Sequence, residues 1–393
     1  MVTSNYLVTV SGPDRIGVGA QLFTALDSLS DRGIAVTDVA QITIRGALVL
    51  CAEVVASESI DVAAIKEALS ANDVEGAGIS AQVEAIVPSE VGDGRRLLVT
   101  FLAPRVSAHQ LEVVFAAIAR SSATCERIVH LATYPVDCYE LVVRGPDHAA
   151  LREALTEVST SSGLDLAVQR AGLHRRSKHL VVMDADSTLL QDEVIDLLAD
   201  ESGHADEVAR ITESAMSGEI DFAESLRRRV SLLEGLDATV LDDVRARLRL
   251  APGARTLLRT LRRLGYVPAV VSGGFVEVLE PLLADLDVQY LAANRLEIVN
   301  GKLTGRVVGE IVDRAGKARA LRRFAEDVGV PLEQTVAVGD GANDIDMLSV
   351  AGLGIAFNAK AMVRQHADAV LSVPYLDAVL YFLGISREEI EAE

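Results

Sequence analysis

The stretch His179-Leu-Val-Val-Met-Asp-Ala-Asp-Ser-Thr188 decides the fold of this 393-residue chain. Residues 179–183 are a mainly apolar run typical of a buried β-strand, and two carboxylates, Asp184 and Asp186, follow where that strand should end. In an open α/β sheet, ligands bind at the carboxyl ends of the strands. The stretch therefore predicts an α/β fold with an acidic site at one edge of its sheet.

Further polar segments follow predicted strands downstream. Ser272-Gly-Gly274 comes after a strand-like run, and Gly339-Asp-Gly-Ala-Asn-Asp344 comes after another. Between them lie a hairpin over residues 298–308, with an Asn-Gly turn, and then Lys317 near a helix start. Helical patterns separate the strands, at residues 255–264, 275–286, 318–328 and 345–350. The alternation predicts a doubly wound parallel sheet.

Each segment has a plainer explanation when it is taken alone. An Asp-x-Asp after a strand is most often a helix cap, Ser-Gly-Gly can be a tight turn, and most single lysines are solvated charges. Neither acidic run is an EF-hand calcium loop, because Leu189 and Ala342 break its pattern. Lys317 is not in a nucleotide P-loop, since the upstream glycine is missing and no serine or threonine follows the lysine.

In the order DxDST, SGG, K and GDGxND, the segments resemble the signature of the haloacid dehalogenase-like phosphatases. The resemblance implies that Asp184 is the nucleophile and forms an aspartyl phosphate. It implies that Asp186 protonates the leaving alkoxide oxygen and then takes a proton from the attacking water. Dehalogenases of the same fold expel halide and usually lack this second aspartate, so its presence favours phosphoryl transfer.

A phosphate dianion repels an anionic nucleophile, so such a site has to supply positive charge. The resemblance implies a Mg²⁺ ion with ligands from Asp184, the backbone carbonyl of Asp186 and Asp340. It implies that Asn343 and Asp344 order this shell from behind, and that Asn343 also binds the substrate.

The resemblance also assigns the groups that hold the phosphate. Lys317 would offset the charge of the nucleophile and the charge that develops during transfer. The Ser272 hydroxyl and the Gly273 N–H would bind phosphate oxygens. Lys317 is therefore counted with the two aspartates as a catalytic residue.

About 85 residues separate the first polar segment from the second, too many for one βα crossover. Residues 193–250 are helical by periodicity and predict a small cap that can close over the site. The segments Asp192-Glu-Val-Ile-Asp196, Ala215-Met-Ser-Gly218 and 220–233 resemble the phosphoserine phosphatase family, a likeness that spans residues 179–375.

This second resemblance implies a pocket for a small zwitterion. Glu193 would accept the substrate ammonium, Arg229 would bind its carboxylate, and Met216 and Phe222 would form the apolar wall. Three arginines are consecutive here, and only one of them can point at the site, so the choice of Arg229 rests on the family spacing. The alternative for Met216 and Phe222 is the core of the cap.

Upstream, the chain repeats one pattern twice. Strands and helices in the order βαββαβ run over residues 6–86 and again over 97–169. That order is the ferredoxin-like unit, a four-stranded sheet with two helices on one face. Because such sheets leave a face and edges free, we expect pairing between copies and a homodimer through these domains.

Between the strand at 6–10 and the first helix, Gly12-Pro-Asp-Arg-Ile-Gly17 resembles the ACT domain, a regulatory module that binds amino acids. The resemblance implies an effector site at Asp14 and Gly17, with serine as the candidate ligand. The alternative is a turn in which Asp14 caps the helix. The second copy has Ala103-Pro-Arg-Val-Ser107 at this position, which favours a structural or dimerising role.

Charge and turn residues predict domains at 1–90, 91–175 and 176–393, with net charges of −8 and +2 over residues 1–90 and 91–178, and −14 thereafter. The total of −20 argues against nucleic-acid binding. The sequence has no long apolar span, its first residues show no basic segment followed by an apolar one, and its three cysteines form no CxxC. We expect a cytoplasmic protein that binds no membrane.

The resemblances together imply a Mg²⁺-dependent hydrolase of O-phospho-L-serine, which carries out the last step of serine biosynthesis. Two alternatives stay open. One is a phosphatase of the same fold that acts on another small phosphate ester, such as a sugar phosphate. The other is an amino-acid sensor whose phosphatase-like half is a scaffold, although every catalytic position carries a competent residue.

Overall fold

The computed structural model of the protein describes residues 3–87, 96–145, 147–172, 175, 177–216 and 219–392. The chain forms two compact units, residues 1–93 and 94–393. Within these described ranges, every helix is too short or too polar to cross a membrane.

The first unit is the four-stranded antiparallel sheet with two helices that the repeat predicts. Its elements are β1 (Thr3–Pro13), α1 (Val18–Asp27), β2 (Ile34–Ile44), β3 (Ala47–Ser57), α2 (Val62–Ala71) and β4 (Ser80–Ile86). The strands lie in the order β2-β3-β1-β4. Alternate residues of the central strands, such as Val8, Val10 and Leu50, pack with Leu22 and Ile65 of the helices in one core.

The loop before α1 differs in detail from its prediction. β1 runs to Pro13, past the expected turn, because its last residues pair with the start of β3. Helix α1 has Gly17 at its N-cap and no side-chain cap, so Asp14 does not cap this helix. Asp14 is exposed, and its backbone N–H donates to the Gly46 carbonyl at 2.8 Å.

The second unit opens with the other ferredoxin-like sheet. Its elements are β5 (Arg96–Ala103), α3 (Ala108–Arg120), β6 (Thr124–Ala132), β7 (Asp137–Arg144), α4 (His148–Ser162) and β8 (Asp165–Arg170). The Ser107 and Gln110 side chains form a capping box at the start of α3. Val99 and Phe101 of β5 pack with Val114 and Leu151 of the helices.

The remaining strands form the doubly wound parallel sheet. They are β9 (Leu180–Met183), β10 (Val267–Phe275), β11 (Tyr290–Val299), β12 (Lys302–Val308), β13 (Thr335–Gly339), β14 (Gly354–Phe357) and β15 (Ala369–Leu371). The strands lie in the order β11-β10-β9-β13-β14-β15. From β9 the chain adds β10 and β11 on one side and then β13, β14 and β15 on the other. β12 pairs antiparallel with β11. Val181 and Met183 of β9 enter one hydrophobic core and Leu180 and Val182 enter another, so both faces of the sheet are covered.

Eleven α-helices accompany these strands in the part of the chain that the structure describes. They are α5 (Val194–Ser202), α6 (Ala205–Met216), α7 (Phe222–Ser231), α8 (Val240–Arg247), α9 (Ala254–Arg263), α10 (Val276–Asp285), α11 (Arg314–Val328), α12 (Ile345–Val350), α13 (Ala361–Arg364), α14 (Val379–Phe382) and α15 (Arg387–Glu391). Helices α5 to α8 lie between β9 and β10 and form the cap. The cap is joined to the β11–β12 hairpin by backbone hydrogen bonds, including 2.9 Å from Gly235 N to Leu303 O and 2.8 Å from Ala238 N to Gly301 O.

The second ferredoxin-like sheet is continuous with the parallel sheet. β8 lies beside β15, where Ala167 pairs with Ala369, so the whole sheet has eleven strands. The Asp165 carboxylate accepts hydrogen bonds from the backbone N–H groups of Ser372 at 2.6 Å and Val373 at 3.2 Å. The division at residues 90 and 175 stays a prediction, and the sheet itself runs across the second boundary.

Candidate active site

The acidic segments meet between β9 and β13, where the order of strands in the parallel sheet changes side. β9 and β13 are neighbours, and Asp184 and Asp340 follow their carboxyl ends directly. β10 lies on the other side of β9 and carries Ser272 and Gly273 near its carboxyl end. This is the crevice in which open α/β sheets bind ligands.

A buried lysine joins two of the carboxylates. The Lys317 ammonium lies 2.7 Å from Asp184 Oδ1 and 2.7 Å from Asp344 Oδ1, and all three side chains are buried. Asp313 caps α11, accepting from the Gly316 N–H at 2.7 Å, and Lys317 follows in the first turn of that helix. The lysine is therefore fixed by its helix and by two salt bridges.

Burial and charge shift the titration of this cluster. Burial and the charge of Asp344 raise the pKa of Asp184 despite the opposing effect of Lys317. Burial and the same neighbour raise the pKa of Asp340 to about 6. Burial would lower the pKa of Lys317, but the two carboxylates outweigh it and raise that pKa. The site holds more negative than positive charge and favours a further cation.

The donor set fits Mg²⁺. Carboxylate oxygens of Asp184, Asp340 and Asp344 lie within 4.8 Å of one another, and hard oxygens are the ligands that this ion prefers. The Thr188 hydroxyl, which the sequence did not single out, lies 3.4 Å from Asp340 Oδ1 and orients it. Asp344, expected behind the shell, has a carboxylate oxygen within the cluster itself. The role expected of the Asp186 carbonyl stays a prediction.

Asp186 is held in one orientation by both of its oxygens. Oδ1 accepts from the Val194 N–H at 2.9 Å, and Oδ2 accepts from the Ser272 hydroxyl at 3.1 Å. Burial raises the pKa of Asp186, which the two hydrogen bonds oppose only in part. A carboxyl group with a raised pKa can hold a proton near neutral pH and give it up.

The Ser-Gly-Gly segment is shaped for close approach. The Ser272 hydroxyl accepts from the Gly274 N–H at 2.8 Å. A β-carbon on Gly273 would lie 3.2 Å from Cζ of Phe222, at the start of cap helix α7. The ring of Phe222 therefore packs on the predicted phosphate loop, as an apolar wall would.

The cap brings Glu193 and Arg229 toward the acidic cluster. Burial and the charge of Asp186 raise the pKa of Glu193 to about 7, and the Ser187 hydroxyl donates to Glu193 at 2.9 Å. Burial lowers the pKa of Arg229, while the charges of Asp196, Glu193 and Asp186 oppose that shift. The structure thus brings this pair of opposite charges to the same site.

Arg229 is the one arginine of its run that turns inward. It is partly buried, whereas Arg227 and Arg228 are exposed, and Arg228 pairs with Glu224. Among the described residues, no group accepts a hydrogen bond from the buried Nε of Arg229. Asp196 was not identified from the sequence as a neighbour of Arg229. Its spacing of three residues from Glu193 indicates that the two carboxylates share a helix face.

The binding roles of four further residues stay predictions. The side chain of Met216 lies outside the described residues, although its backbone ends helix α6. Asn343 lies partly exposed in the turn after β13. Asp14 and Gly17 belong to the first unit, and their binding role stays a prediction.

Three family models match separate parts of the chain. The haloacid dehalogenase-like hydrolase model matches residues 181–349, and two ACT domain models match residues 4–79 and 97–169. A phosphoserine phosphatase of Streptomyces coelicolor is 52% identical over 98% of this chain and 93% of its own length. The chain belongs to the phosphoserine phosphatase family.

Two other relatives support this membership. A phosphoserine phosphatase of Mycobacterium tuberculosis is 49% identical over 98% of this chain and 94% of its own length. A solved phospho-aspartyl intermediate analogue of a phosphoserine phosphatase is 43% identical, with a TM-score of 0.50, and it covers 52% of this chain and 98% of its own. The expected family and fold, including both ACT domains, are confirmed.

Proposed function

We propose that this phosphoserine phosphatase family member hydrolyses O-phospho-L-serine to L-serine and phosphate through an aspartyl phosphate on Asp184. The observation that carries the proposal is the pair Glu193 and Arg229, because the charge of Asp186 acts on the pKa of both side chains. Relatives of nearly the same length and about half-identical sequence are phosphoserine phosphatases, which supports the same substrate.

In the first step, a carboxylate oxygen of Asp184 attacks phosphorus, and the bond from phosphorus to the serine oxygen breaks. Asp186 gives its proton to that oxygen, because an alkoxide is a poor leaving group. Lys317 holds the nucleophile by its 2.7 Å contact and offsets the negative charge brought in by the phosphate.

In the second step, Asp186 takes a proton from water, whose oxygen attacks phosphorus. The bond to Asp184 breaks and phosphate is released, which restores both carboxyl groups. Ser272 and the Gly273 N–H would hold phosphate oxygens throughout, beside Asp186. Mg²⁺, held by Asp184, Asp340 and the Asp186 carbonyl, would supply Lewis-acid neutralisation of the phosphate charge.

Substrate recognition follows from the charges under the cap. The Glu193 carboxylate would receive the ammonium of the amino acid. Arg229, whose Nε has no acceptor in the described part of the chain, would bind the carboxylate. Phe222, whose ring packs on Gly273, would form the apolar wall beside the short side chain of the substrate, with Met216 as a further wall.

The test is phosphate release from a panel of esters by the full chain. We expect O-phospho-L-serine to be turned over at least about tenfold more efficiently than sugar phosphates or phosphoglycolate, because a lost charge-assisted contact costs more than 1.4 kcal/mol. Activity should require Mg²⁺ and vanish in Asp184→Asn. A preference for a sugar phosphate would favour the alternative substrate class, and no activity at all would favour the scaffold alternative.

We also propose that serine regulates the enzyme through the first ACT domain, at Asp14 and Gly17, and that the protein is a homodimer. Edge strand β2 exposes Val39, Ile42 and Ile44, which supports pairing with a second copy. The setting we propose is the cytoplasm and the last step of serine biosynthesis. Serine inhibition that persists after residues 1–93 are removed would place the effect at the active site instead.

A further inference from the structure

One buried amide outside the family signature touches two parts of the active site. Asn294 lies on β11, and its side chain is fully buried. Its Nδ2 donates to the Gly273 carbonyl at 2.8 Å, and its Oδ1 accepts from the Val312 N–H at 2.9 Å. Gly273 is in the phosphate loop, and Val312 leads into the helix that carries Lys317.

The first of these hydrogen bonds repairs a break in the sheet. β10 and β11 pair regularly from Ala269 to Val271, and then the register shifts until Phe275 meets Asn294. The two additional residues of β10 lie in the Ser-Gly-Gly segment, so the carbonyl of Gly273 falls outside the regular ladder. A buried carbonyl without a partner is costly, and the Asn294 amide provides that partner.

The second hydrogen bond fixes the approach to Lys317. Val312 is followed by Asp313, whose side chain caps α11 and whose carbonyl accepts from the Lys317 N–H at 2.9 Å. Holding the Val312 N–H therefore sets where this helix begins. The neutral Asn294 amide does both at the same time, because Nδ2 donates to a carbonyl while Oδ1 accepts from an N–H.

We propose that Asn294 is a positioning residue that sets the spacing between the Gly273 N–H and the Lys317 ammonium around the transferring phosphoryl group. The inference rests on the proposed function, because it assigns both groups to that phosphate. A displacement of about 1 Å in such groups costs on the order of 100-fold in rate. The carboxylate and ammonium contacts of the substrate, made by the cap, are not reached by Asn294.

The test compares Asn294→Leu and Asn294→Asp with the wild-type full chain in Mg²⁺. We expect kcat for O-phospho-L-serine to fall about 10- to 100-fold in Asn294→Leu, with KM changed less than about threefold. Inhibition by orthovanadate, a mimic of the transferring phosphoryl group, should weaken in parallel with kcat. Leu257→Ala, a buried change in α9, controls for lost stability and should keep kcat within about twofold.

The pH dependence of the rate of Asn294→Asp is a measurement that lost stability alone would not change. An ionised aspartate can accept from Val312 but repels the Gly273 carbonyl, whereas a protonated one donates to it. The rate of Asn294→Asp relative to the wild type should therefore rise as pH falls. An unchanged kcat in Asn294→Leu would overturn the inference. So would a fall of kcat in Leu257→Ala as large as the fall in Asn294→Leu. Wild-type protein that hydrolyses no phosphate ester would instead overturn the proposed function, and this inference with it.

Discussion

At the scale of single residues, Arg229 differs from Arg227 and Arg228 because it is partly buried under the cap, whereas they are exposed. Arg229→Ala should raise KM for O-phospho-L-serine by on the order of 10- to 100-fold, because a bidentate, partly buried carboxylate contact is lost. Hydrolysis of p-nitrophenyl phosphate, which has no carboxylate, should change little. Steady-state kinetics on both esters measures this.

Arg228→Ala is the matched control, since Arg228 is exposed one position earlier and pairs with Glu224 on the helix surface. It should behave as wild type toward both esters. Equal losses on both substrates in Arg229→Ala would show that the residue supports the cap and does not recognise the amino acid.

Glu193 makes substrate binding depend on pH. Burial and Asp186 raise the pKa of Glu193 to about 7, and only the ionised form, present above that pH, attracts an ammonium. The KM for O-phospho-L-serine should therefore rise as pH falls below about 7, measured against p-nitrophenyl phosphate to remove the titration of the phosphate itself. Glu193→Gln should have a high KM that no longer follows pH in this way, and a pH dependence that survives the substitution would contradict the assignment.

At this scale the sequence indicates which residues gather at the site, but not all of their contacts. The resemblance to the phosphatase signature assigns Asp184, Asp186 and Lys317 to one site, where the structure joins Lys317 to Asp184, and their catalytic roles stay predictions. The contact of Asp344 with Lys317 could not be predicted, because it depends on how a turn closes in three dimensions. Thr188 and Asn294 gave no signal, since a lone buried polar residue looks the same in a sequence whether or not it orients a catalytic group.

At the scale of elements, the β11–β12 hairpin supports the cap. Gly305 has φ near +73°, and a β-carbon there would lie 3.0 Å from Glu234 Cβ and 3.2 Å from Ser231 at the end of α7. Gly305→Ala should displace α7, and with it Arg229, and so lower kcat/KM for O-phospho-L-serine about tenfold or more. Steady-state kinetics and a melting curve measure the two effects separately.

Gly301, at the tip of the same hairpin, is the control for backbone strain. Its φ is near +75°, and a β-carbon there would meet nothing within 4 Å. Both alanine variants should lose about 1–2 kcal/mol of stability from the left-handed conformation. If Gly301→Ala lowers kcat/KM as much as Gly305→Ala does, contact between hairpin and cap is not the cause.

Periodicity predicts most elements of the chain but not all of their lengths. The hairpin was expected over residues 298–308, whereas β11 begins at Tyr290, because its first half pairs with β10 inside the sheet. The short strands β14 and β15 were not predicted. Runs of three or four apolar residues carry too little pattern, and their pairing with β13 and β8 comes from the tertiary fold.

At the scale of the whole molecule, the second ACT domain is part of the catalytic unit. Leu102, Cys138 and Ala167 from its sheet enter the same hydrophobic core as the C-terminal helices. In sequence the two repeats share one order of elements, and the second copy differs by the segment Ala103-Pro-Arg-Val-Ser107, which favoured a structural or dimerising role. Its docking onto the catalytic sheet, through contacts with residues 369–382, comes from the structure, because a docked sheet face and an exposed one can carry similar alternation.

Two truncations should therefore differ in stability. Removal of residues 1–93 deletes a separate unit and should change the melting temperature of the remainder by only a few degrees. Removal of residues 1–177 also removes Asp165, the hydrogen-bond partner of Ser372 and Val373, and exposes the shared core. It should lower the melting temperature by about 10 °C or more. Differential scanning calorimetry measures both, and equal melting temperatures would contradict the shared core.

The central claim is that phosphate is transferred through Asp184. Its most direct test is mass spectrometry of peptides from the full chain, quenched in acid during turnover of O-phospho-L-serine with Mg²⁺. The account predicts a phosphoryl group on Asp184, absent without substrate and absent in Asp184→Asn. A phosphoryl group on any other residue, or turnover by Asp184→Asn at the wild-type rate, would contradict it.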